Sequence, residues 1–294
     1  MNPPSPPQLF LLDRNIVALI KEVAAGKETN DVKKQHCLRT LREIDIPTNY
    51  ISPLLSIIEG EHGREDSADE KSNCQKKESD VLRQFFKSAN LDSEYLDASR
   101  RIVGSVFTTY REEHWSAREE FFNKAAPLVA QKAPIGERQA IEQKLIRKAA
   151  AADLASDDVL LVLFLACLHG SDDARKVIKP TKPDAYNVLN DLHVIPRIGL
   201  IKALVRQTGI QMNVRFVTLD EGLEQVLSNI RIVESNLSNT EELGMQVRYL
   251  PGLFPELEND AFIALLTRIT NIEKAPVKTT AVQNSANRLD DTLI

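Results

Sequence analysis

The chain has 294 residues, 43% of them hydrophobic and 27% charged, and a net charge of −5 at neutral pH. That length holds one large domain or a domain with a sizeable insertion, and the acidic balance argues against a general polyanion-binding surface while leaving room for a local one. No stretch approaches the ~20 apolar residues of a bilayer span, the opening Met1-Asn2-Pro3-Pro4-Ser5-Pro6-Pro7 lacks the segments of a signal peptide, and Cys37, Cys74 and Cys167 have no metal-ligand spacing. A cytoplasmic protein with free thiols and no membrane partner is the expectation.

After an extended proline-rich lead, Leu9-Phe10-Leu11-Leu12 reads as a short buried strand. It stops at Asp13-Arg14-Asn15, and Ile16, Leu19, Ile20 and Val23 then recur at helical spacing. Asp13 reads in two ways, as the N-cap of that helix or as a carboxylate delivered to the strand's carboxyl end, with Asn15 placed to orient it. Asn30 to Glu43 is a polar helix with Val32, Leu38 and Leu41 as a thin apolar side. Ser52 as N-cap and Pro53 as first helical residue open an apolar helix, Leu54, Leu55, Ile57 and Ile58, that ends at Gly60. Glu59 lies at its carboxyl end, where the helix dipole disfavours an anion, which invites a functional reading.

Gly63 to Asp80 is highly charged and reads as an exposed loop or a fraying helix start. From Ser93 a long helical pattern passes through Ile102, Val106 and Phe107 to Trp115, Phe121 and Phe122, and Pro127 is expected to kink or break it. These aromatics read as packing residues, because Arg111-Glu112-Glu113 does not give the basic surround of a base-stacking platform. A further amphipathic helix covers Gly136 to Leu154, and Asp157-Asp158 cap a buried helix from Val159 to Leu168. Gly170 to Pro183 is loop-like and basic; its Arg175, Lys176 and Lys179 suit guidance of a phosphate backbone.

Asp184 leads into a helical segment that carries Asp191 and His193, the latter read as a packed or surface histidine, and ends near Gly209. Val214 to Val217 is a second buried strand, closed by Thr218-Leu219-Asp220 and followed by Leu223, Val226, Leu227 and Ile230 at helical spacing. Gln246 to Leu250 alternates as an edge strand, Asp260 to Ile272 forms a closing helix, and Ala275 to Ile294 is expected to be a flexible tail. Charge is uneven: 13 Lys and Arg against 9 Asp and Glu from Lys132 to Arg215, and 4 against 9 from Glu221 to Lys274.

Four acids stand out from this pass: Asp13, Glu59, Asp191 and Asp220. Carboxylates drawn together raise one another's pKa and stay ionised mainly by binding hard cations. Mg²⁺ or Mn²⁺ in such a cluster serves phosphodiester hydrolysis. The chain has no Gly-rich phosphate loop, no Gly-x-Ser-x-Gly elbow and no His-Glu-x-x-His.

The order Asp13 with Asn15, then Glu59, Asp191, and Thr218 with Asp220 resembles the PIN-domain (PIN-like) nuclease family. The resemblance implies a Rossmann-like three-layer α/β/α sandwich with a mainly parallel sheet, formed by 8–62 and 184–274 around a large helical insertion at 63–183. It implies a divalent-metal nuclease acting on RNA, with DNA as the other substrate, in which Asp13, Glu59, Asp191 and Asp220 hold Mg²⁺ or Mn²⁺ and Asn15 and Thr218 orient. Family relatives include toxin ribonucleases, so a toxin or defence effector with an inhibitor or activating partner, and a homodimer, are open on this reading. Glu61 stays open as the second acid, and Asp157, Asp158 or Asp184 as the third. The alternative is a PIN-like scaffold without activity that serves as a protein-interaction module.

Overall fold

The computed structural model describes residues 6–60, 64, 66–92, 100–237 and 243–270. Its organising element is strand β1 (Gln8–Leu12), which sorts its side chains by parity. Phe10 and Leu12 enter one apolar core, and Leu9 and Leu11 face another on the opposite side. A strand buried on both faces needs helices on both, so a layered α/β arrangement follows from these residues.

The first face is covered by α1 (Arg14–Ala24), α2 (Val32–Glu43) and α4 (Ala68–Phe85). Ile16, Val17, Ile20, Leu41, Leu82 and Phe85 close over Phe10 and Leu12 there. On the second face, Leu54, Leu55, Ile57 and Ile58 of α3 (Leu54–Glu59) meet Val194, Ile198 and Ile201 of α9 (Ala185–Gln207). Two minimal strands, β2 (Tyr50–Ser52) and β3 (Asn90–Leu91), and the longer β4 (Asn213–Val217) complete a four-stranded sheet in the order β3-β2-β1-β4. Every pairing in it is parallel, with Leu9 opposite Tyr50 and Leu12 opposite Val217.

That order carries the functional geometry. The chain leaves β1 toward β2 and β3, then returns to the other side of β1 as β4, so the winding reverses between β1 and β4. Crevices of open parallel sheets form outside the carboxyl ends of strands at such a reversal. Asp13 and Thr218 directly follow those two strand ends.

Between β3 and α9 come α5 (Arg100–Val129), α6 (Ile135–Ala151), α7 (Val159–Leu168) and α8 (Asp172–Ile178). They share a separate core around Phe121, Phe122, Phe164 and the wholly apolar α7. After β4 follow α10 (Glu221–Ser228), an antiparallel hairpin of β5 (Ile230–Leu237) and β6 (Leu243–Tyr249), and α11 (Asn259–Thr270). No helix among the described residues is long and apolar enough to cross a membrane.

Several expectations need correction. From Ala68 the charged stretch is neither loop nor frayed: Ser67 and Glu70 form a reciprocal capping box that starts α4. Before Leu82 and Phe85 its buried positions are Cys74, Gln75, Glu78 and Ser79, three of them polar, which hid the helical period from hydrophobicity. α4 packs on α1, and β3 pairs with β2. The residues from α4 to β3 therefore build the α/β layers, and the helical segment begins later than residue 63.

Pro127 does not break α5, which runs two residues further to Val129. Ile230 opens β5 and does not continue α10. Pro53 is the N-cap position of α3, while Ser52 ends β2 and its Oγ accepts from Leu54 N at 3.2 Å. Within Gly170 to Pro183 the residues Asp172–Ile178 fold as α8, and Val32 is exposed and gives α2 no apolar side at that end. Phe107, Glu61 and the tail from Ala275 have side chains outside the described residues.

Candidate functional site

Asp13 is both of the things its sequence context allowed. Its Oδ1 accepts from Arg14 N at 2.8 Å and caps α1, while Oδ2 accepts from Asn15 Nδ2 at 2.7 Å and from Thr218 Oγ1 at 2.5 Å. Burial pushes its pKa up; the Thr218 hydroxyl and the Arg14 amide oppose that, and the charge of Asp220 adds to it. A carboxylate with both oxygens bonded and 8% exposure has one orientation.

Asn15 ties the two strand ends together. Its Nδ2 also donates to Thr218 Oγ1 at 3.0 Å, and its Oδ1 accepts from Leu219 N at 2.9 Å. Thr218 Oγ1 in turn accepts from Asp220 N at 3.0 Å. Asp220 caps α10 through Oδ1, which accepts from Leu223 N at 2.9 Å. The Thr-x-Asp turn is thus set by side chains of the first strand's helix.

Gly222 keeps this turn close to α8. A Cβ there would stand 2.7 Å from the Cβ of Lys176 and 3.3 Å from the carbonyl of Asp173. α10 and α8 pack at a distance only glycine permits.

Glu59 and Asp191 approach from α3 and α9. Glu59 stands 3.8 Å from the Arg14 guanidinium. Its pKa is pushed up to about 7, first by burial and then by the charges of Asp13 and Asp191, with Arg14 and Arg197 opposing. Asp191 is likewise pushed up to about 7 by burial and by Asp13 and Asp220, against Lys179. Gly60, at φ +82, ends α3 directly after Glu59, and a Cβ there would stand 2.7 Å from the Asp66 carboxylate.

The fold therefore gathers Asp13, Glu59, Asp191 and Asp220 from four separate elements, with Asp13 in charge reach of each of the other three. Among the described residues, however, no three His, Cys, Asp or Glu side chains form a ready metal-ligating group. All donors are carboxylate oxygens, the hard ligands that suit Mg²⁺ or Mn²⁺ and not soft metals.

The other candidates have structural duties. Asp158 caps α7, its Oδ1 accepting from Leu160 N at 2.9 Å, and its Oδ2 accepts from Arg118 Nε and Nη2 at 3.0 Å. Asp157 is exposed, and its carbonyl accepts from Tyr249 Oη at 2.7 Å. Asp184 caps α9, accepting from Asn187 N at 3.2 Å. His193 is buried beside Arg118 Nη1 at 3.1 Å and edge-on to Trp115 at 5.2 Å.

The three proposed backbone guides divide. Arg175 donates to the carbonyls of Val129 at 2.7 Å and Cys167 at 3.2 Å, which closes the ends of α5 and α7. Its guanidinium is committed to the fold. Lys176 pairs with Asp173 at 2.8 Å on the surface. Lys179, the left-handed cap of α8 at φ 48, is the one whose charge reaches a site acid, Asp191.

One acid escaped the sequence reading. Asp92 follows β3 at the same carboxyl edge; burial pushes its pKa up to about 7 against a hydrogen bond from Ser52, and its Oδ1 is buried without a partner. The only sequence signal was a carboxylate directly after a two-residue strand, too short to register as one. Comparison of the chain with protein-family models, curated proteins and solved structures finds no match.

Proposed function

We propose that Asp13, Glu59, Asp191 and Asp220 hold a divalent cation and that the protein hydrolyses phosphodiester bonds, RNA first, on the plan of a PIN-like nuclease within a Rossmann-like three-layer sandwich. The observation that carries this reading is the coupling of four carboxylate charges at the carboxyl ends of β1 and β4. Structural acids are normally dispersed or paired with cations; here Glu59 and Asp191 are pushed up to about 7 by burial first and then by neighbouring carboxylates, Asp13 among them for both.

The chain's own residues do most of the work in this scheme. Thr218 and Asn15 fix Asp13, so the carboxylate needs no reorganisation when a ligand arrives. Asp220 is fixed by its cap and by the Thr218 turn. Glu59 and Asp191 are the adjustable members, because a cation beside them favours their ionised form and cation uptake releases their protons. Mg²⁺ or Mn²⁺ held there supplies the Lewis-acid charge that phosphodiester hydrolysis requires.

The second reading is a PIN-like scaffold that binds proteins and has no activity. Titration calorimetry of the full chain with Mn²⁺ separates the two. One binding event in the wild type, lost in Asp13→Asn and Asp220→Asn, supports the metal site. No binding by the wild type hands the fold to the scaffold reading.

A further inference from the structure

β4 is an edge strand: β1 lies on one side of it, and none of the described residues pairs with the other. A groove of 670 Å³ follows that open edge from Val214 to Thr218, walled by α9, α10 and β5. A second groove of 560 Å³ begins where the first ends and reaches Asn213, and both are lined by Lys202, Val214 and Arg215. The two make one continuous track. Five strand rises of ~3.3 Å make it about 17 Å long.

The lining is basic on an acidic protein. Among the described residues that line it, Lys202, Arg206, Arg215 and Arg231 stand beside one carboxylate, Glu224. Among the described residues no carboxylate pairs with Lys202, Arg215 or Arg231. Burial first, then the charges of Arg215 and Arg206, push the Lys202 ammonium below its usual range. Arg231 also stands directly opposite Arg248 in the β5–β6 register, both exposed. Like charges so placed destabilise a ladder unless an anion lies across them.

One end of the track is Thr218, the residue that holds Asp13. We propose that this track binds the phosphate backbone of a single-stranded nucleic acid and delivers it past Arg215 to the carboxylate site. The delivery rests on the nuclease reading; the binding does not. A strand edge also accepts a peptide strand, but Lys202, Arg215 and Arg231, which no described carboxylate pairs, favour a polyanion with a charge at every residue.

The test uses the full chain in EDTA, so that nothing is cut, and follows a fluorescent single-stranded RNA by anisotropy over a salt series. The wild type binds. Lys202→Gln with Arg215→Gln weakens binding at least tenfold and lowers the salt slope by about 1.4, roughly 0.7 for each phosphate no longer neutralised. Arg231→Gln, on the opposite wall, also weakens it. The exposed Lys144→Gln leaves it unchanged, and circular dichroism confirms that each variant is folded.

Unaltered affinity and slope in the folded double variant overturn the track. So does preference for an acidic peptide over RNA that is lost in the same variants. Cutting in Mg²⁺ with unaltered affinity in the double variant removes the track and leaves the nuclease; variant-sensitive binding with no cutting by the wild type keeps the track and removes the nuclease.

Discussion

Thr218 Oγ1 stands 2.5 Å from Asp13 Oδ2, a hydrogen bond between residues 205 positions apart that fastens the end of β4 to the end of β1. A hydroxyl donated to a largely buried carboxylate is among the stronger hydrogen bonds, and its removal strands an acceptor. Thr218→Val is expected to cost about 1.5–3 kcal/mol in urea unfolding, and Thr218→Ser much less. Metal-dependent cleavage should follow the same order. Equal unfolding midpoints for the two variants would show that the bond is not a tether.

The raised pKa values of Glu59 and Asp191 fix the sign of a pH effect. From their ordinary values of 4.5 and 3.8 up to about 7, the unfolded chain has released these protons and the folded one keeps them. Stability contributed by these two groups therefore falls as pH rises through that window. Asp191→Asn, which cannot ionise, should gain in melting temperature over the metal-free wild type as pH goes from 5 to 8. A difference that shrinks over that range would contradict the coupling.

Gly222 tests how the Asp220 turn is held. An added methyl meets the Lys176 Cβ at 2.7 Å, part of a stem that cannot swing away. Overpacking of this kind costs about 1–3 kcal/mol. Gly222→Ala should lower both stability and Mn²⁺ affinity, measured by thermal melts and calorimetry, because α10 must lift from α8 and carries Asp220 with it.

The neighbouring acids of the α7 cap give an internal contrast. Asp158→Ala removes a cap and leaves the Arg118 guanidinium without its buried partner, whose side chain is 5% exposed; the expected loss is about 3–5 kcal/mol. Asp157→Ala should stay within about 0.5 kcal/mol, since only its backbone carbonyl is engaged. Neither folded variant should lose Mn²⁺ binding.

Some of this was legible before the fold was known, for a physical reason. β1 is an apolar run cut off by Asp13, and β4 was legible from Val214, Phe216 and Val217 before Thr218-Leu219-Asp220, both followed by a 3.6-residue period. β4 lies at the sheet edge with none of its residues fully buried, so it is not the buried strand expected. Capping and ligation both place an Asp at the same position, so the sequence left Asp13 open; the structure gives it both bonds. β2 and β3, three and two residues long, have no period to detect, and Asp92 was missed with them. The earlier turns of α4 were invisible because their buried face is largely polar, with Glu78 Oε1 accepting from Lys21, Ser56 and Cys74. Arg175 looked like a surface cation because composition cannot show that carbonyls of two helix ends converge on it. The β4 groove joins residues of α9, β4 and β5, which no local pattern links.

The most direct test of the acidic site is cleavage of labelled single-stranded RNA by the full chain with Mg²⁺ or Mn²⁺, set beside folded Asp13→Asn and Asp220→Asn variants. Cutting that requires the metal and disappears in both variants is the predicted result. Cutting that survives both substitutions, or a wild type that cuts neither RNA nor DNA at any metal concentration, would contradict it.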